Sequence, residues 1–323
     1  MESMKETVKA YLSVARIDHW VKHFFIIPGI MLAVALMGFP AKSIWNILFR
    51  VVIGFLSACF IASANYTINE WLDAATDAFH PEKRMRASSQ GVLKVSGIYI
   101  QYTIFLIFGM TMAFQVNKMF FLSSIAFVIS GIIYNVKPMR TKDIVYLDVL
   151  TESLNNPIRL FLGWSMITGS FFPPVSFVLS YYFGGAFLMA SKRMSEYRHI
   201  MEVSGEDAAS GYRASFKYYT FSSLVALCCF CMICSSTLLG IFMYKYHVEY
   251  ILLLPLIALL FAYYMKNALK SDSLAQKPEK LFKDKKLILI LVVLVIGLII
   301  TSICELPFLE KILFSEFGAF QIE

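Results

Sequence analysis

Asn69, Asp73 and Asp77 recur at intervals of four in the stretch NEWLDAATDAFHPEKRMR, and Lys83, Arg84 and Arg86 follow directly. On a helix, residues four apart share one face. Two carboxylates and an amide oxygen on one stripe make a set of hard ligands for Mg²⁺, which takes one or two carboxylates and completes its shell with substrate phosphates. Without a cation, like charges at this spacing repel. The plainer alternative is a helix end fraying into water, where acids are common. A second stripe repeats the pattern, with Asp148 and Glu152 four apart and then Asn155, Asn156 and Arg159. Arg159 falls in an apolar run and needs a partner, because an unpaired charge there is costly. Either it makes an internal ion pair with Glu152 or another acid, or the stripe is a second cradle for metal and diphosphate.

Three cationic clusters accompany the acids: Lys83, Arg84 and Arg86; Lys137, Arg140 and Lys142; Lys192, Arg193 and Arg198. Guanidinium forks and ammonium point charges both suit phosphate oxygens. The bias of lysine and arginine toward the cytoplasmic side of membranes explains one or two such clusters. Three of them beside two acidic stripes fit a site holding Mg²⁺ and a polyanionic phosphate together. His80, before Pro81, reads as a turn residue or phosphate contact, since no nucleophile accompanies it as a general base would require.

The elements that must carry these residues are membrane helices. The chain has 323 residues, 58% of them apolar and 16% charged, with a mean hydropathy of +0.66, well beyond a soluble domain. Apolar runs near the length needed to cross a bilayer fall at 22–40, 46–68, 96–116, 118–136, 147–169, 174–191, 218–243, 249–266 and 286–304. In hydrocarbon these must be helices. The expected fold is therefore all-α: one domain over 1–323, a polytopic bundle of nine transmembrane helices around a central cavity. Residues 1–21 read as an interfacial helix without the features of a cleavable signal, and 305–323 as an amphipathic tail of no assigned role.

With the N-terminus inside, 23 of the 29 lysines and arginines fall on cytoplasmic segments. That places the C-terminus outside in an inner (plasma) membrane of bacterial type. The net charge of +7 follows from this topology and asks for no nucleic acid. The long polar segments 69–95 and 192–217, and the shorter 137–147, read as cytoplasmic loops, so the chemistry belongs to that face. The Lys-rich 267–285 reads as a silent linker. Cys59, Cys228, Cys229, Cys231, Cys234 and Cys304 all lie in apolar runs and read as packing residues.

At these residues the chain resembles the UbiA superfamily of intramembrane prenyltransferases, whose pattern is N-D-x-x-D-x-x-x-D with a second acidic motif after the fourth helix. The matching residues are Asn69–Asp77, Tyr134–Lys142 and Asp148–Glu152. Departures are Glu70 at the second position of the first motif and Asn155-Asn156-Pro157 after the second. The resemblance implies a nine-helix bundle, Mg²⁺ held by the two acidic motifs, and transfer of a group from a diphosphate donor to a lipid or aromatic acceptor. More narrowly, Arg16–Lys22, His80–Arg86 and Ser191–Glu196 are similar to the R-x-x-x-W-V-K, H-P-x-K-R-x-R-P and G-K-R-x-x-E stretches of the decaprenyl-phosphate phosphoribosyltransferase subgroup. Ala87 stands where that subgroup has proline.

The resulting expectation is Mg²⁺ on Asn69, Asp73, Asp77 and Asp148, with Glu152 assisting. Lys22, Lys83, Arg84, Arg86, Tyr134, Arg140, Lys142, Arg159, Lys192 and Arg193 would contact substrate. The donor would be phosphoribosyl diphosphate and the acceptor a lipid-linked polyprenyl phosphate. Two alternatives stay open: prenyl transfer to an aromatic or other small acceptor, and a lipid-phosphate carrier with no reaction.

Overall fold

The computed structural model describes residues 2–38, 43–77, 79, 83–270 and 284–313. His80 and its neighbours Pro81 and Glu82, the linker 271–283 and the tail 314–323 lie outside the described residues.

Twelve helices and several short 3-10 segments make up the described chain, and no strand occurs among those residues. They are α1 (Glu2–Val14), α2 (Ile27–Met37), α3 (Ile44–Asp77), α4 (Val95–Val116), α5 (Lys118–Asn135), α6 (Leu147–Ser153), α7 (Asn155–Ile167), α8 (Val175–Tyr212), α9 (Phe221–Tyr246), α10 (Leu254–Ala268), α11 (Lys285–Ile303) and α12 (Pro307–Leu313). Among the described residues seven helical stretches are long and apolar enough to cross a membrane: Thr7–Met37, Ile44–Asp77, Val95–Val116, Lys118–Asn135, Phe221–Tyr246, Val248–Ala268 and Lys285–Ile303. The other two expected spans, 147–169 and 174–191, fall on the more polar α6–α7 and α8.

The fifth expected span is not one helix. Pro157 has no N–H to give the Ser153 carbonyl, which would be its partner four residues back. The Asn156 side chain takes that carbonyl instead, at 3.2 Å, and the chain restarts as α7. The segment 192–217 is not a loop either, because α8 runs unbroken in register to Lys192, Arg193 and Glu196 and ends only at Tyr212, with a kink at Gly205 (φ 80°). At 1.5 Å per residue, α8 rises about 45 Å before its kink at Gly205 and the 34 residues of α3 about 51 Å. Both exceed the ~30 Å hydrocarbon core, so each projects a polar turn or more beyond it, and the functional residues sit on those projections.

Packing fixes where the projections meet. Ala58, Ile61, Phe120, Leu162 and Met166 join α3, α5 and α7, while Phe187, Ala190, Met194, Cys228 and Tyr264 join α8, α9 and α10. Asn117 closes the α4–α5 turn: its Oδ1 accepts the Phe120 N–H at 2.9 Å and its Nδ2 donates to the Ser165 carbonyl of α7 at 2.6 Å. Trp20, in the 3-10 segment before α2, donates its indole N–H to Ser63 Oγ on α3 at 2.9 Å. The tightest crossing is α2 on α7. A Cβ built on Gly29 would lie 2.1 Å from the Leu160 carbonyl oxygen, and one on Gly163 2.1 Å from that of Ile26. Small residues allow backbones this close, the usual currency of helix association where no water is expelled.

That crossing carries Asn155, Asn156 and Arg159 on one side and the Arg16–Lys22 segment on the other. Gly163→Val is expected to destabilise the protein by ~1–3 kcal/mol or more through overpacking. Gly240→Ala, with open space around the new methyl, is expected to be neutral or slightly stabilising. Melting temperatures in one detergent check both; equal melting of the two variants would refute the close crossing.

Candidate active site

A cavity of about 1050 Å³ runs from the polar projections into the bundle. Its polar end is lined by Asn69, Asp73, Asp77, Glu152 and Glu196 among ten lysines and arginines, and its far end by apolar side chains such as Leu239, Phe242, Leu260, Leu294 and Leu298.

The α3 stripe forms as the spacing requires, and each acid meets a base from another element. Asp73 pairs with Lys142 and, at 3.2 Å, with Arg140. Lys142 also donates to Asn69 Oδ1 at 3.3 Å and Asn135 Oδ1 at 3.2 Å. Arg140, with a left-handed backbone (φ 28°), is held by Asp143 at 2.8 Å and the Asn135 carbonyl at 3.2 Å. Asp77 pairs with Arg86 at 2.6 Å. Glu70 faces elsewhere: it lies near Ser88 Oγ at 3.4 Å and Arg16 at 3.9 Å, so the departure from the family's Asn-Asp start serves the junction with the N-terminal segment.

The second stripe divides. Glu152 lines the cavity and accepts from Tyr134 Oη at 2.9 Å and from Arg193. Asp148 does not line it. That side chain is fully buried, accepting from Tyr219 Oη at 2.6 Å and Ser215 Oγ at 3.1 Å, with Arg193 Nε at 3.3 Å and Arg213 at 3.7 Å. The expectation of Asp148 as a metal ligand does not fit this placement. Asp148 instead holds the backs of two arginines whose fronts face the cavity.

The cationic clusters also divide into inward and outward members. Lys83, Arg86, Arg140, Lys142, Lys192 and Arg193 line the cavity, as do Lys22, Tyr134 and Arg159. Arg84 and Lys137 are exposed, and Arg198 binds the Leu269 carbonyl at 2.6 Å and Glu202 at 3.4 Å. Arg84 is therefore no part of the site. Of the two readings of Arg159, the ion pair with Glu152 does not form among the described residues: Arg193 and Tyr134 both bond Oε2 of that carboxylate.

Sequence reasoning gave no role to Glu196, Tyr212 or Arg213. Lys83 bonds Glu196 at 2.8 Å and Tyr212, whose hydroxyl donates to Glu196 at 2.9 Å. Glu196 also pairs with Arg193 at 3.0 Å, and its position three after Arg193 on a helix was a legible signal. Arg213 reaches the Lys142 carbonyl at 3.4 Å from beyond the end of α8, where nothing in the sequence pointed.

The donor set fits a hard cation. Asn69, Asp73 and Asp77 present an amide oxygen and two carboxylates from successive turns, all on the cavity wall. Among the described residues no three His, Cys, Asp or Glu converge as a self-sufficient metal site. An ion there would complete its shell with substrate phosphates, which is the habit of Mg²⁺.

An all-helical membrane bundle with a basic, carboxylate-bearing mouth over an apolar chamber is built to hold a polyanion beside a hydrocarbon chain. The chain belongs to the UbiA prenyltransferase family, whose sequence profile matches residues 25–293. It is accordingly a transferase and an integral membrane protein. It is similar to the uncharacterized protein y4nM of Sinorhizobium fredii, 27% identical over 205 residues that cover 64% of this chain and 38% of that one. It is also similar to the decaprenyl-phosphate phosphoribosyltransferase of Corynebacterium glutamicum, 33% identical over 95 residues, 29% of this chain and 27% of that one. The chain thus matches well under half the length of either relative. Two structures of a UbiA homologue from Archaeoglobus fulgidus share the fold: one bound to GPP and Mg²⁺ (TM-score 0.65, 20% identity) and one bound to DMAPP and Mg²⁺ (TM-score 0.67, 18% identity). Each covers 91% of this chain and 99% of its own.

Burial lowers the ammonium pKa of Lys142, despite Asp73, and of Lys192, despite Glu152, each to about 8. Both are charged at pH 7 and largely neutral at pH 9. Raising the pH from 7 to 9 is therefore expected to weaken pyrophosphate binding about tenfold per lysine engaged. Lys192→Arg should remove its share of the fall. Isothermal titration across this range checks the sign; a flat profile would show that neither ammonium meets the anion.

Proposed function

We propose that this protein transfers a phosphoribosyl group from phosphoribosyl diphosphate to a polyprenyl phosphate. The observation that carries the reading is the charge of the cavity lining: ten lysines and arginines against five carboxylates. A prenyl diphosphate presents one anionic group. Phosphoribosyl diphosphate presents a diphosphate and a separate monoester carrying about −2 at pH 7, and a polyprenyl phosphate acceptor adds another. The bases stand in groups around the mouth rather than at one point: Arg140 and Lys142 by Asp73, Arg86 by Asp77, Lys83 by Glu196, Arg193 by Glu152. Such spacing suits two anionic groups on one donor. The similarity to the Corynebacterium glutamicum decaprenyl-phosphate phosphoribosyltransferase supports a phosphoribosyl group as the one transferred.

Asn69, Asp73 and Asp77 would hold Mg²⁺, with Glu152 the carboxylate of the second motif that shares the cavity with them. Bound there, the ion would supply Lewis-acid stabilisation of the departing diphosphate. Arg86, Arg140 and Lys142 would neutralise the same diphosphate, and Lys83 with Lys192 and Arg193 the 5-phosphate. The bond from ribose C1 to the diphosphate oxygen breaks and diphosphate leaves with the electron pair; a phosphate oxygen of the acceptor bonds to C1. No general base is needed, since the attacking phosphate is already anionic. Positioning and fixed charge carry the barrier reduction. The excess of Lys and Arg at this end of the bundle supports a cytoplasmic mouth in a bacterial inner membrane, N-terminus inside.

The alternative, prenyl transfer to an aromatic acceptor, draws on the same carboxylates, and the Archaeoglobus structures hold GPP and DMAPP. Labelled phosphoribosyl diphosphate with polyprenyl phosphate, set against prenyl diphosphate with aromatic acids, decides between them in membranes containing Mg²⁺. Turnover is expected only in the first pair; turnover only in the second would refute the reading. Asp73→Asn is expected to lower the rate about 100-fold or more, and the exposed Arg84→Ala to leave it within about twofold. A carrier would tolerate both.

A further inference from the structure

Arg159 is 8% exposed and lines the cavity, yet among the described residues no ion pair or hydrogen bond reaches it. Its Nε is buried without a partner, and its guanidinium lies 5.3 Å from the Phe127 ring centroid, a contact of modest strength. A buried charge left so is costly, and such a residue inside a membrane bundle marks a ligand by default. Asn155 sits one turn before it on α7, on the same face, and also lines the cavity. Its Oδ1 accepts from Ser130 Oγ at 2.8 Å, which leaves its amide N–H donors for something else. Glu152, at the edge of the mouth, lies a further turn back across the α6–α7 break. Arg159 stands one further helical turn, about 6 Å of rise, beyond Asn155 on α7, in the cavity whose apolar lining comes in part from α9 and α11 (Leu239, Phe242, Leu294 and Leu298).

We infer that Arg159 and Asn155 form a second anion subsite, separate from the diphosphate mouth, that takes the anionic head group of the acceptor. The occupant must pair with a guanidinium and fill an apolar chamber, so it is an anion with a hydrocarbon body, and a phosphate monoester of a lipid alcohol meets both demands. This rests on the reading of the protein as a transferase with an anionic acceptor. A carboxylate on an aromatic acid is the other source of the same chemistry, and the test separates the two.

Full-length protein in detergent is titrated with farnesyl phosphate, 4-hydroxybenzoate and pyrophosphate, in wild type, Arg159→Lys and Arg159→Met. Farnesyl phosphate is expected to bind Arg159→Met about 30-fold more weakly or worse, with Arg159→Lys between. Pyrophosphate should stay within about twofold in all three, which also reports that the variants fold. Unliganded Arg159→Met should melt at or above wild type, because it loses no ion pair or hydrogen bond and methionine can keep contact with the Phe127 ring; a structural arginine would melt lower. The inference is overturned if farnesyl phosphate and 4-hydroxybenzoate both ignore the substitution, if pyrophosphate weakens in parallel, or if Arg159→Met melts well below wild type. Dependence of 4-hydroxybenzoate alone on Arg159 would keep the subsite and remove the phosphoribosyl reading. Failure of phosphoribosyl turnover with farnesyl phosphate binding still Arg159-dependent would remove only the donor.

Discussion

The buried guanidinium of Arg193 is the knot on which the mouth depends. It meets Asp148 at 3.3 Å, Glu196 at 3.0 Å, Glu152, and the Tyr134 hydroxyl at 3.0 Å. Those partners come from α6, α8 and α5, so one side chain sets three helix ends in register. Buried ion pairs add little net stability, since desolvation offsets most of the attraction. Losing one partner is another matter, because an uncompensated charge then remains in a medium of low dielectric. The arrangement is therefore better understood as a device for position than for stability.

Position explains why the two acidic stripes, alike in sequence, do different work. On α3 both carboxylates line the cavity and meet bases from other elements; Asp73 keeps 21% of its side chain exposed, while Asp77 is buried against Arg86. On α6 the first carboxylate is sealed behind Arg193 and Arg213, and only Glu152, with 23% of its side chain exposed, shares the cavity. A ligand entering the mouth can displace Lys142 or Arg140 from Asp73, since both bases could turn to an incoming phosphate. It cannot displace Arg193 from Asp148 without opening the fold. One stripe is exchangeable and the other fixed, and a binding site needs both.

How much of this was legible follows the same division. The α3 stripe was readable because its spacing matches the helical period and its acids cannot be placed cheaply elsewhere in so apolar a chain. The break before α7 was written in Pro157, yet hydropathy alone joined α6 and α7 into one span. The extension of α8 past Lys192 was hidden by its polarity: beyond the hydrocarbon a helix needs no apolar face, so its residues look like a loop. The inward turn of Asp148 could not be read at all, because it depends on Tyr219 and Ser215, some seventy positions away. For the same reason the sequence could not sort Arg84 from Arg86, which differ only in the side of a short turn they occupy. Of the two readings open for Arg159, the pair with Glu152 could be set aside only in three dimensions, where a distant arginine holds that carboxylate.

A gradient of solvation along one wall ties these elements together. From Arg140 to Glu152 the lining is charged and partly wet; from Asn155 it is amide and aromatic; beyond Arg159 it is hydrocarbon. Electrostatic attraction strengthens as dielectric falls, so a base gains leverage on an anion with every turn into the bundle, while the penalty for baring that base rises too. Several bases at the mouth meet a carboxylate, Arg86 that of Asp77, Lys142 that of Asp73 and Arg193 that of Glu152, whereas among the described residues Arg159 meets none and keeps a buried Nε without a partner. An amphiphile could satisfy that position with its head and cover the wall with its tail, and water could do neither.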